Sequence, residues 1–289
     1  MTPYPCIVLV HYGPPDLTLR CLRNLAAMEP SPHRAIVVDN GPGEGLEAAL
    51  AGAHPALTVL PNPGNPGFGA GCNVGAARAF ADGATAVWFL NNDATLEGPV
   101  LEPLAALARR WPQVALWGTW QRDGDRRLGA DLQAPWCAAG AAPAVPGLPP
   151  DCRLLGPRET LSGASIRVAR AAWDRLGPWP GDYFLYLEDT AWCLRAHRLG
   201  LPLALADLEV VHPRSSTIGR HSRLSIYYGV RNQLRLHREL HPSRSAARLG
   251  MAAHLLQKRF FQGRWGLLAH TWRAIRAAAR GETGRAEGY

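Results

Sequence analysis

Short apolar segments alternate with amphipathic ones through the first half of the chain. Residues 16–28 place apolar side chains at helical spacing, and a similar pattern covers residues 100–111. Mostly aliphatic runs between the helical segments predict strands over residues 6–11, 34–38, 57–60, 86–90 and 114–120. Strands that alternate with helices at this spacing are typical of a parallel sheet with both faces covered. We therefore predict an α/β fold with a mostly parallel, doubly wound sheet flanked by helices.

Polar side chains follow three of these strands at the point where each strand ends. They are Asp39, the Asn- and Gly-rich residues 62–71, and Asn91-Asn92-Asp93. Because the carboxyl ends of parallel strands meet at one edge, we expect these groups to gather where an open α/β sheet binds its ligand. Asp93 has no Lys or Arg beside it, which suits a carboxylate that holds Mg²⁺ or Mn²⁺ against phosphate oxygens. The alternative is that this polar tripeptide only forms a turn.

The second half of the chain has a less regular pattern. Residues 134–150 are rich in Ala, Pro and Gly and predict an irregular loop. Further strands are predicted over residues 160–168, the aromatic residues 183–187, and two short runs at 201–206 and 208–211. Glu188 and Asp189 open a predicted helix that ends at Gly200, and the chain after Leu224 reads as amphipathic helices.

The cysteines and the net charge indicate the cellular compartment and the classes of partner. The six cysteines form no CxxC pair, so buried thiols in a reducing compartment fit better than disulfides or a zinc site. We see no signal peptide and no transmembrane run, which predicts a cytoplasmic protein. The net charge of +8 fits a phosphate-bearing ligand or an anionic membrane surface. Nucleic acid is not predicted as a partner, because no nucleic-acid motif accompanies the charge.

The glycines at positions 67, 69 and 71 resemble a dinucleotide fingerprint without completing it. Cys72 stands where the last glycine of that fingerprint should be, counting from Gly67 and Gly69. The flanking Asn65 and Asn73 have no role in a dinucleotide fold. We therefore do not predict a nicotinamide cofactor.

Six short motifs follow one another in a fixed order: residues 7–12, 37–40, 65–73, 90–93, 161–164 and 184–189. In that order they resemble the inverting glycosyltransferases of family 2, and most closely the rhamnosyltransferase-like branch that serves cell-wall polysaccharides. The resemblance runs from Ile7 to about His212. It implies the GT-A fold over residues 1–215, with residues 216–289 as a C-terminal helical region packed on that domain, on a partner or on a membrane.

The resemblance also implies roles for individual residues. Asp189 matches the catalytic base, and Glu188 beside it orients the loop or shares that role. Asp93 matches the acid that holds a divalent cation, Mn²⁺ or Mg²⁺, and His212 matches a histidine that helps hold the metal or diphosphate. The nucleotide-sugar is expected to contact Val10, His11, Tyr12, Asp39, Asn65, Gly67, Phe68, Gly69, Asn73, Asn91, Asn92, Gly163 and Arg231.

The implied activity is transfer of a sugar, with inversion, from a nucleotide-diphospho-sugar (dTDP-rhamnose-like or a UDP-sugar) to a hydroxyl of a glycan or lipid-linked acceptor. A carboxylate base and a charge clamp on the diphosphate are what this chemistry needs. Ala191 stands where the family usually has a further acid. The alternative is therefore a catalytically impaired nucleotide-sugar or glycan-binding protein on the same fold. The amphipathic C-terminal helices could contact the inner face of the membrane peripherally, or could form a homodimer.

Overall fold

The computed structural model describes residues 5–43, 45–133, 135–137, 143–213 and 222–288. Its first half alternates strands and helices as the sequence predicts, with bounds that differ by three residues or fewer. The elements are β1 Pro5–His11, α1 Asp16–Met28, β2 Arg34–Asp39, α2 Leu46–Ala49, β3 Leu57–Pro61, α3 Phe68–Ala81, β4 Ala86–Leu90, α4 Leu101–Arg110 and β5 Leu116–Asp123.

The second half begins with short strands and ends with helices. The elements are β6 Arg126–Leu128, β7 Ala130–Leu132, β8 Arg153–Leu154, β9 Glu159–Leu161, β10 Ser165–Ala169, α5 Arg170–Leu176, α6 Glu188–Arg198, β11 Leu203–Val211, α7 Arg223–Leu240, α8 Ser245–Phe261 and α9 Leu268–Arg280. Single 3₁₀ turns cover Pro135–Cys137, Gly181–Tyr183 and Trp265–Leu267.

The main sheet has the strand order β3-β2-β1-β4-β10-β5-β11-β8, with β6 paired to β5. Strands β3, β2, β1 and β4 are parallel to one another, and β11 is parallel to β5. Strand β10 runs antiparallel to β4 and β5, with Ser165 opposite Leu90. The turn that precedes β10 therefore lies beside the carboxyl end of β4. The predicted doubly wound, mostly parallel sheet is confirmed.

The core lies on both faces of this sheet because successive strand residues point to opposite sides. In β1, Ile7 and Leu9 pack with α1 residues on one face, whereas Val8 and Val10 pack with α3 residues on the other. Both pairs are essentially excluded from solvent. The six cysteine side chains are buried as well, as predicted.

Four predicted strands are wrong in detail. Residues 160–168 form two strands instead of one, because a turn at 162–164 separates β9, which pairs with β7 in a small second sheet, from β10. Residues 183–187 are not a strand, since Phe184, Tyr186 and Leu187 adopt positive φ angles of 68°, 67° and 69°. The two short strands predicted within residues 201–211 form one strand, β11, over Leu203–Val211, with a bulge after Ala206.

The C-terminal helices differ in how they are held. Helix α7 and helix α9 pack together, and α7 carries the buried residues Tyr228, Arg231 and Asn232. Helix α8, all of whose residues are described, contains none that is buried. Across the described ranges, every helix is too short or too polar to cross a bilayer. The predicted division at residue 215 falls within residues 214–221, and the predicted loop includes 134 and 138–142. These stretches lie outside the described residues.

Candidate active site

A cleft of about 280 Å³ opens at the carboxyl edge of β1, β2 and β4. This edge is where the sequence places its three polar clusters, and where open α/β sheets bind ligands. The lining residues come from strand ends, from the loop before α3, from the segment before α6, from α7 and from the C-terminal tail. They are Val10, Tyr12, Asn40, Asn65, Gly67, Phe68, Asn91, Asn92, Asp93, Phe184, Leu185, Leu224 and Arg285.

The loop before α3 is folded tightly against the rest of the cleft. Asn65 has a φ of 45° and Gly67 a φ of 103°, which is the region that glycine adopts without strain. The Asn40 side chain donates to the Gly67 carbonyl at 3.0 Å, and the Phe68 amide donates to the Phe184 carbonyl at 3.0 Å. A Cβ on Gly67 would lie 2.3 Å from that carbonyl oxygen. Only glycine fits at this position.

Asp93 and His212 meet beside the end of β4. His212 Nε2 lies 3.2 Å from Asp93 Oδ1 and 3.0 Å from the side-chain amide nitrogen of Asn91. A pair of backbone hydrogen bonds between Thr95 and Val211, at 2.9 and 2.8 Å, holds the end of β11 there. A carboxylate oxygen and an imidazole nitrogen that lie this close together could both serve as ligands of a Mn²⁺ or Mg²⁺ ion that takes its other ligands from phosphate and water. Among the described residues, no group of three or more His, Cys, Asp or Glu side chains is placed to hold a metal ion by itself.

Asp189 lies in the first turn of α6, beside the turn at residues 162–164. Its Oδ2 accepts from the Gly163 amide at 2.8 Å, and its Oδ1 accepts from the Thr190 amide at 2.6 Å. Burial raises the pKa of Asp189 above its usual value, and these two amide donors oppose that rise. The carboxylate is therefore held in one orientation with its basicity increased.

The same turn connects the candidate base to the candidate cation site. The Ala164 carbonyl accepts from the backbone amide of Asn91 at 2.9 Å. The preceding residue, Gly163, is the one whose amide binds Asp189. A Cβ on Gly163 would lie 3.3 Å from Asp189 Cβ and 3.4 Å from the Phe68 ring. The antiparallel course of β10 produces this arrangement, because it brings residues 162–164 to the end of β4.

Glu188 differs from its neighbour in its surroundings. Its side chain is 7% exposed, and Oε2 has no hydrogen-bond partner among the described residues. Burial, and next the charge of Asp189, raise the pKa of Glu188 to about 8. Glu188 is therefore mostly protonated at neutral pH, whereas the amide donors favour an ionised Asp189.

The structure brings together some of the predicted site residues and separates others from the cleft. Eight line it: Val10, Tyr12, Asn65, Gly67, Phe68, Asn91, Asn92 and Asp93. Six predicted nucleotide-sugar contacts are not among the lining residues: His11, Asp39, Gly69, Asn73, Gly163 and Arg231.

Three of these residues make side-chain hydrogen bonds beside the cleft. His11 Nδ1 lies 2.8 Å from Thr18 Oγ1, and Asp39 Oδ1 accepts from the Gly41 amide at 2.8 Å. A Cβ added at Gly69 would lie 3.4 Å from the Trp179 Cβ. Asn73 brackets that same tryptophan, donating to its carbonyl at 2.9 Å and accepting from its amide at 2.8 Å.

Arg231 and its neighbour Asn232 hold the segment before α6. Arg231 is 1% exposed and donates to the Tyr183 carbonyl at 2.8 Å. The Asn232 amide group donates to the carbonyls of Tyr183, Leu185 and Tyr186 at 3.0, 2.8 and 2.8 Å. These bonds fix the positive-φ segment that separates two compartments.

Residues 184–187 form the wall between the cleft and a second cavity. Phe184 and Leu185 line the cleft, whereas Tyr186 and Leu187 line a cavity of about 620 Å³. Its other walls are mainly apolar residues from the 3₁₀ turn at Pro135–Cys137 and from helices α7 and α8. Asp189, two residues beyond Leu187, therefore stands near the end of this wall.

Sequence reasoning missed five cleft residues. Asn40 follows Asp39 at a strand end, a signal that could have included it. Phe184 and Leu185 belong to a predicted strand and were expected in the core. Leu224 is one of many apolar positions in a predicted helix. Arg285 gave no signal, because only the fold brings the C-terminus to this edge.

Comparison with known proteins bears directly on this arrangement. Residues 6–142 match the model of glycosyl transferase family 2. The first half of this chain is thus similar to family 2 glycosyltransferases. An N-acetylglucosaminyl-diphospho-decaprenol L-rhamnosyltransferase of Mycobacterium tuberculosis is 28% identical over 246 residues, which cover 76% of this chain and 79% of that protein. The chain is thus rhamnosyltransferase-like, as its motifs indicate.

Solved structures show the GT-A fold of this glycosyltransferase. A mannosyltransferase from Pyrobaculum calidifontis, in complex with GDP-Man and Mn²⁺, superimposes with a TM-score of 0.57 at 16% identity, over 96% of this chain and 87% of that one. GalNAc-T7 with UDP, GalNAc and Mn²⁺ gives a TM-score of 0.59 at 13% identity, over 81% of this chain and 47% of that one. Both of these structural neighbours bind Mn²⁺, in keeping with the donor set of Asp93 and His212.

Proposed function

We propose that this glycosyltransferase is an inverting, metal-dependent enzyme. In the proposal it moves a sugar from a nucleotide-diphospho-sugar to a hydroxyl of a glycan or lipid-linked acceptor in cell-surface polysaccharide synthesis. The observation that carries the proposal is the turn at residues 162–164. Its Gly163 amide binds the Asp189 carboxylate, and its Ala164 carbonyl binds the Asn91 amide beside Asp93. A base and a cation site are thereby held at a fixed separation.

Asp189 is the proposed general base. The acceptor hydroxyl gives its proton to this carboxylate, its oxygen forms a bond to the anomeric carbon, and the bond to the diphosphate breaks with its electron pair. A single displacement of this kind inverts the anomeric centre. A positioned base typically supplies 10²- to 10⁴-fold in rate. The raised pKa of Asp189 favours this role because it increases the carboxylate's basicity.

The leaving diphosphate needs stabilisation as its negative charge grows. A divalent cation, when bound, supplies a Lewis acid at the diphosphate oxygens. Asp93 and His212 are the residues that would hold it, and Asn91 would orient His212. Glu188 stays protonated near neutral pH and so adds no second negative charge beside Asp189.

The donor in this proposal is dTDP-rhamnose-like or a UDP-sugar. The rhamnosyltransferase relative supports the first, by the name of its activity. A UDP-sugar is supported by GalNAc-T7, a protein of the same fold whose structure contains UDP. The cleft at Asn65 to Asp93 takes the nucleotide, with Phe68 as an apolar surface.

The acceptor in this proposal enters from the other side of the wall at residues 184–187. The cavity there is about 620 Å³ and mainly apolar, with Arg259 at one side. Apolar walls with a cation suit an acceptor that joins a lipid to a phosphate group, as the relative's diphospho-decaprenol substrate does. Peripheral contact of α8 with the inner face of a membrane would bring such a lipid to this cavity.

A second candidate function rests on Ala191. This residue packs with Leu194 and Trp136 in an apolar cluster, where the family usually has an acid. The alternative function is therefore a nucleotide-sugar or glycan-binding protein that has lost turnover.

The test is calorimetric titration of the whole chain with UDP, dTDP and GDP, each with and without Mn²⁺, followed by transfer assays. We expect one nucleotide to bind tightly only with Mn²⁺, and Asp93→Asn to remove the effect of the metal. Asp189→Asn should keep that binding and lose transfer by at least about 10²-fold. Failure of all three nucleotides to bind would overturn the donor site. Binding without any transfer by the wild type, over a panel of donor sugars and lipid acceptors, would favour the second candidate.

A further inference from the structure

The C-terminal tail after α9 folds back over the donor cleft. The chain reverses at Gly281 and Gly284, with φ angles of 75° and 66°. The Gly284 amide donates to the Asp182 carbonyl at 2.7 Å, and the Gly284 carbonyl accepts from Arg231 at 2.7 Å. Two residues later, the Ala286 amide donates to the Tyr228 hydroxyl at 2.9 Å. The backbone is thus held on both sides of Arg285.

Arg285 itself lies at the cleft. Its Nη1 donates to the Gly64 carbonyl at 3.3 Å, in the loop before α3 that lines the cleft. The guanidinium therefore reaches from the C-terminus to a segment 221 residues earlier in the chain. An arginine has five N–H donors in a planar fork, and this bond uses one of them. Other donors are left for a ligand in the cleft.

The charge of the cleft makes Arg285 distinctive. Among the described lining residues, it carries the sole permanent positive charge and Asp93 the sole carboxylate. A nucleoside diphosphate brings more negative charge than a divalent cation at Asp93 offsets. Arginine pairs with phosphate oxygens through two parallel hydrogen bonds, which adds geometry to the charge attraction.

We infer that Arg285 binds the diphosphate of the donor, so that the C-terminal tail forms a wall of the donor site. Arg231 and Tyr228 are positioning residues in this arrangement, because they hold Gly284 and Ala286. The inference rests on the proposed function, since it concerns the same cleft. It adds a binding residue from a segment outside the matched family region, residues 6–142.

The experiment compares Arg285→Gln, Arg285→Lys and the wild type by calorimetry. The ligands are whichever of UDP, dTDP and GDP the wild type binds, and the matching nucleoside. Arg276→Gln is the matched control, because it removes the same charge from an exposed arginine of α9 outside the cleft. Arg285 is exposed, so its variants are expected to fold.

We expect Arg285→Gln to weaken diphosphate binding about tenfold, the cost of a charged hydrogen bond. Nucleoside binding should stay unchanged, Arg285→Lys should lose less, and Arg276→Gln should bind as the wild type does. Equal diphosphate affinity in Arg285→Gln and the wild type overturns the inference while leaving the donor site intact. An equal loss of diphosphate affinity in Arg276→Gln also overturns the inference, because it would show a long-range effect of charge instead of a direct contact. Absence of nucleotide binding by the wild type instead defeats the proposed function.

Discussion

At the scale of single residues, two adjacent acids have different surroundings. The Asp189 carboxylate accepts two backbone amides, which favour its charged form. Glu188 points into the protein interior, near the thiol of Cys72, and its pKa rises to about 8. The assignment of base and neighbour thus follows from hydrogen-bond donors, which the sequence Glu-Asp alone does not reveal.

Glu188 should make stability depend on pH. Its pKa is about 8 in the folded chain and near 4.5 when exposed, so the folded state binds more protons between those values. Its contribution is fully present below pH 4.5 and is lost as pH rises through 8, by at most about 1.4 kcal/mol per pH unit. We expect Glu188→Gln to flatten this decline. Thermal unfolding from pH 5 to 9 measures it.

The control for this experiment is Glu102→Gln, which neutralises an exposed acid on α4. It should keep the wild-type pH dependence. Parallel curves for Glu188→Gln and the wild type would show that Glu188 ionises normally in the folded chain.

At the scale of elements, the sequence predicted what local periodicity determines. Strands β1 to β4 and helix α3 are regular, and their ends carry the polar clusters that became the cleft. The segment 184–187 could not be predicted, because Arg231 and Asn232 of α7 set its backbone through bonds to its carbonyls. The break at residues 162–164 could not be predicted for a similar reason. The strands on either side, β9 and β10, are both apolar, and only their pairing in different sheets separates them.

The loop before α3 offers a test at this scale. Gly67→Ala places a Cβ at 2.3 Å from the Phe184 carbonyl, at a φ of 103°. We expect a stability loss of more than about 2 kcal/mol and loss of nucleotide binding, as the wall at 184–187 shifts. Urea unfolding and calorimetry measure the two effects.

Gly64→Ala is the matched control in the same loop. Its φ is 87°, but nothing lies within 4 Å of the added Cβ. It should cost only about 1 kcal/mol of backbone strain and keep nucleotide affinity. Equal effects of the two substitutions would mean that backbone conformation matters and the contact with Phe184 does not.

At the scale of the whole molecule, the C-terminal helices present an unusual surface. Residues 241–281 contain eight Arg or Lys and no Asp or Glu. Leu249, Phe261 and Trp265 expose 73%, 82% and 59% of their surface on and just after α8. Aromatic side chains among cations are typical of helices that lie on an anionic bilayer.

We expect the chain to bind vesicles that contain about a third phosphatidylglycerol, and to bind neutral vesicles weakly. Phe261→Asp should reduce this binding several-fold, because it removes apolar area and adds negative charge. Leu199→Asp is the control, because Leu199 is another exposed apolar side chain and lies far from α8 in sequence. Co-sedimentation measures the bound fraction. Sedimentation velocity of the free chain tests the homodimer, and a dimer that Phe261→Asp dissociates would contradict the membrane assignment.

The wall at residues 184–187 has a consequence for how this enzyme diverges. Phe184 and Leu185 line the cleft, and Tyr186 and Leu187 line the larger cavity. One backbone segment, held by one helix, therefore shapes both compartments. Under the proposed function, a mutation that reshapes this segment for a new acceptor would also alter the donor's surroundings. Preferences for the two substrates would then be inherited together, and a change in one would call for compensation in the other.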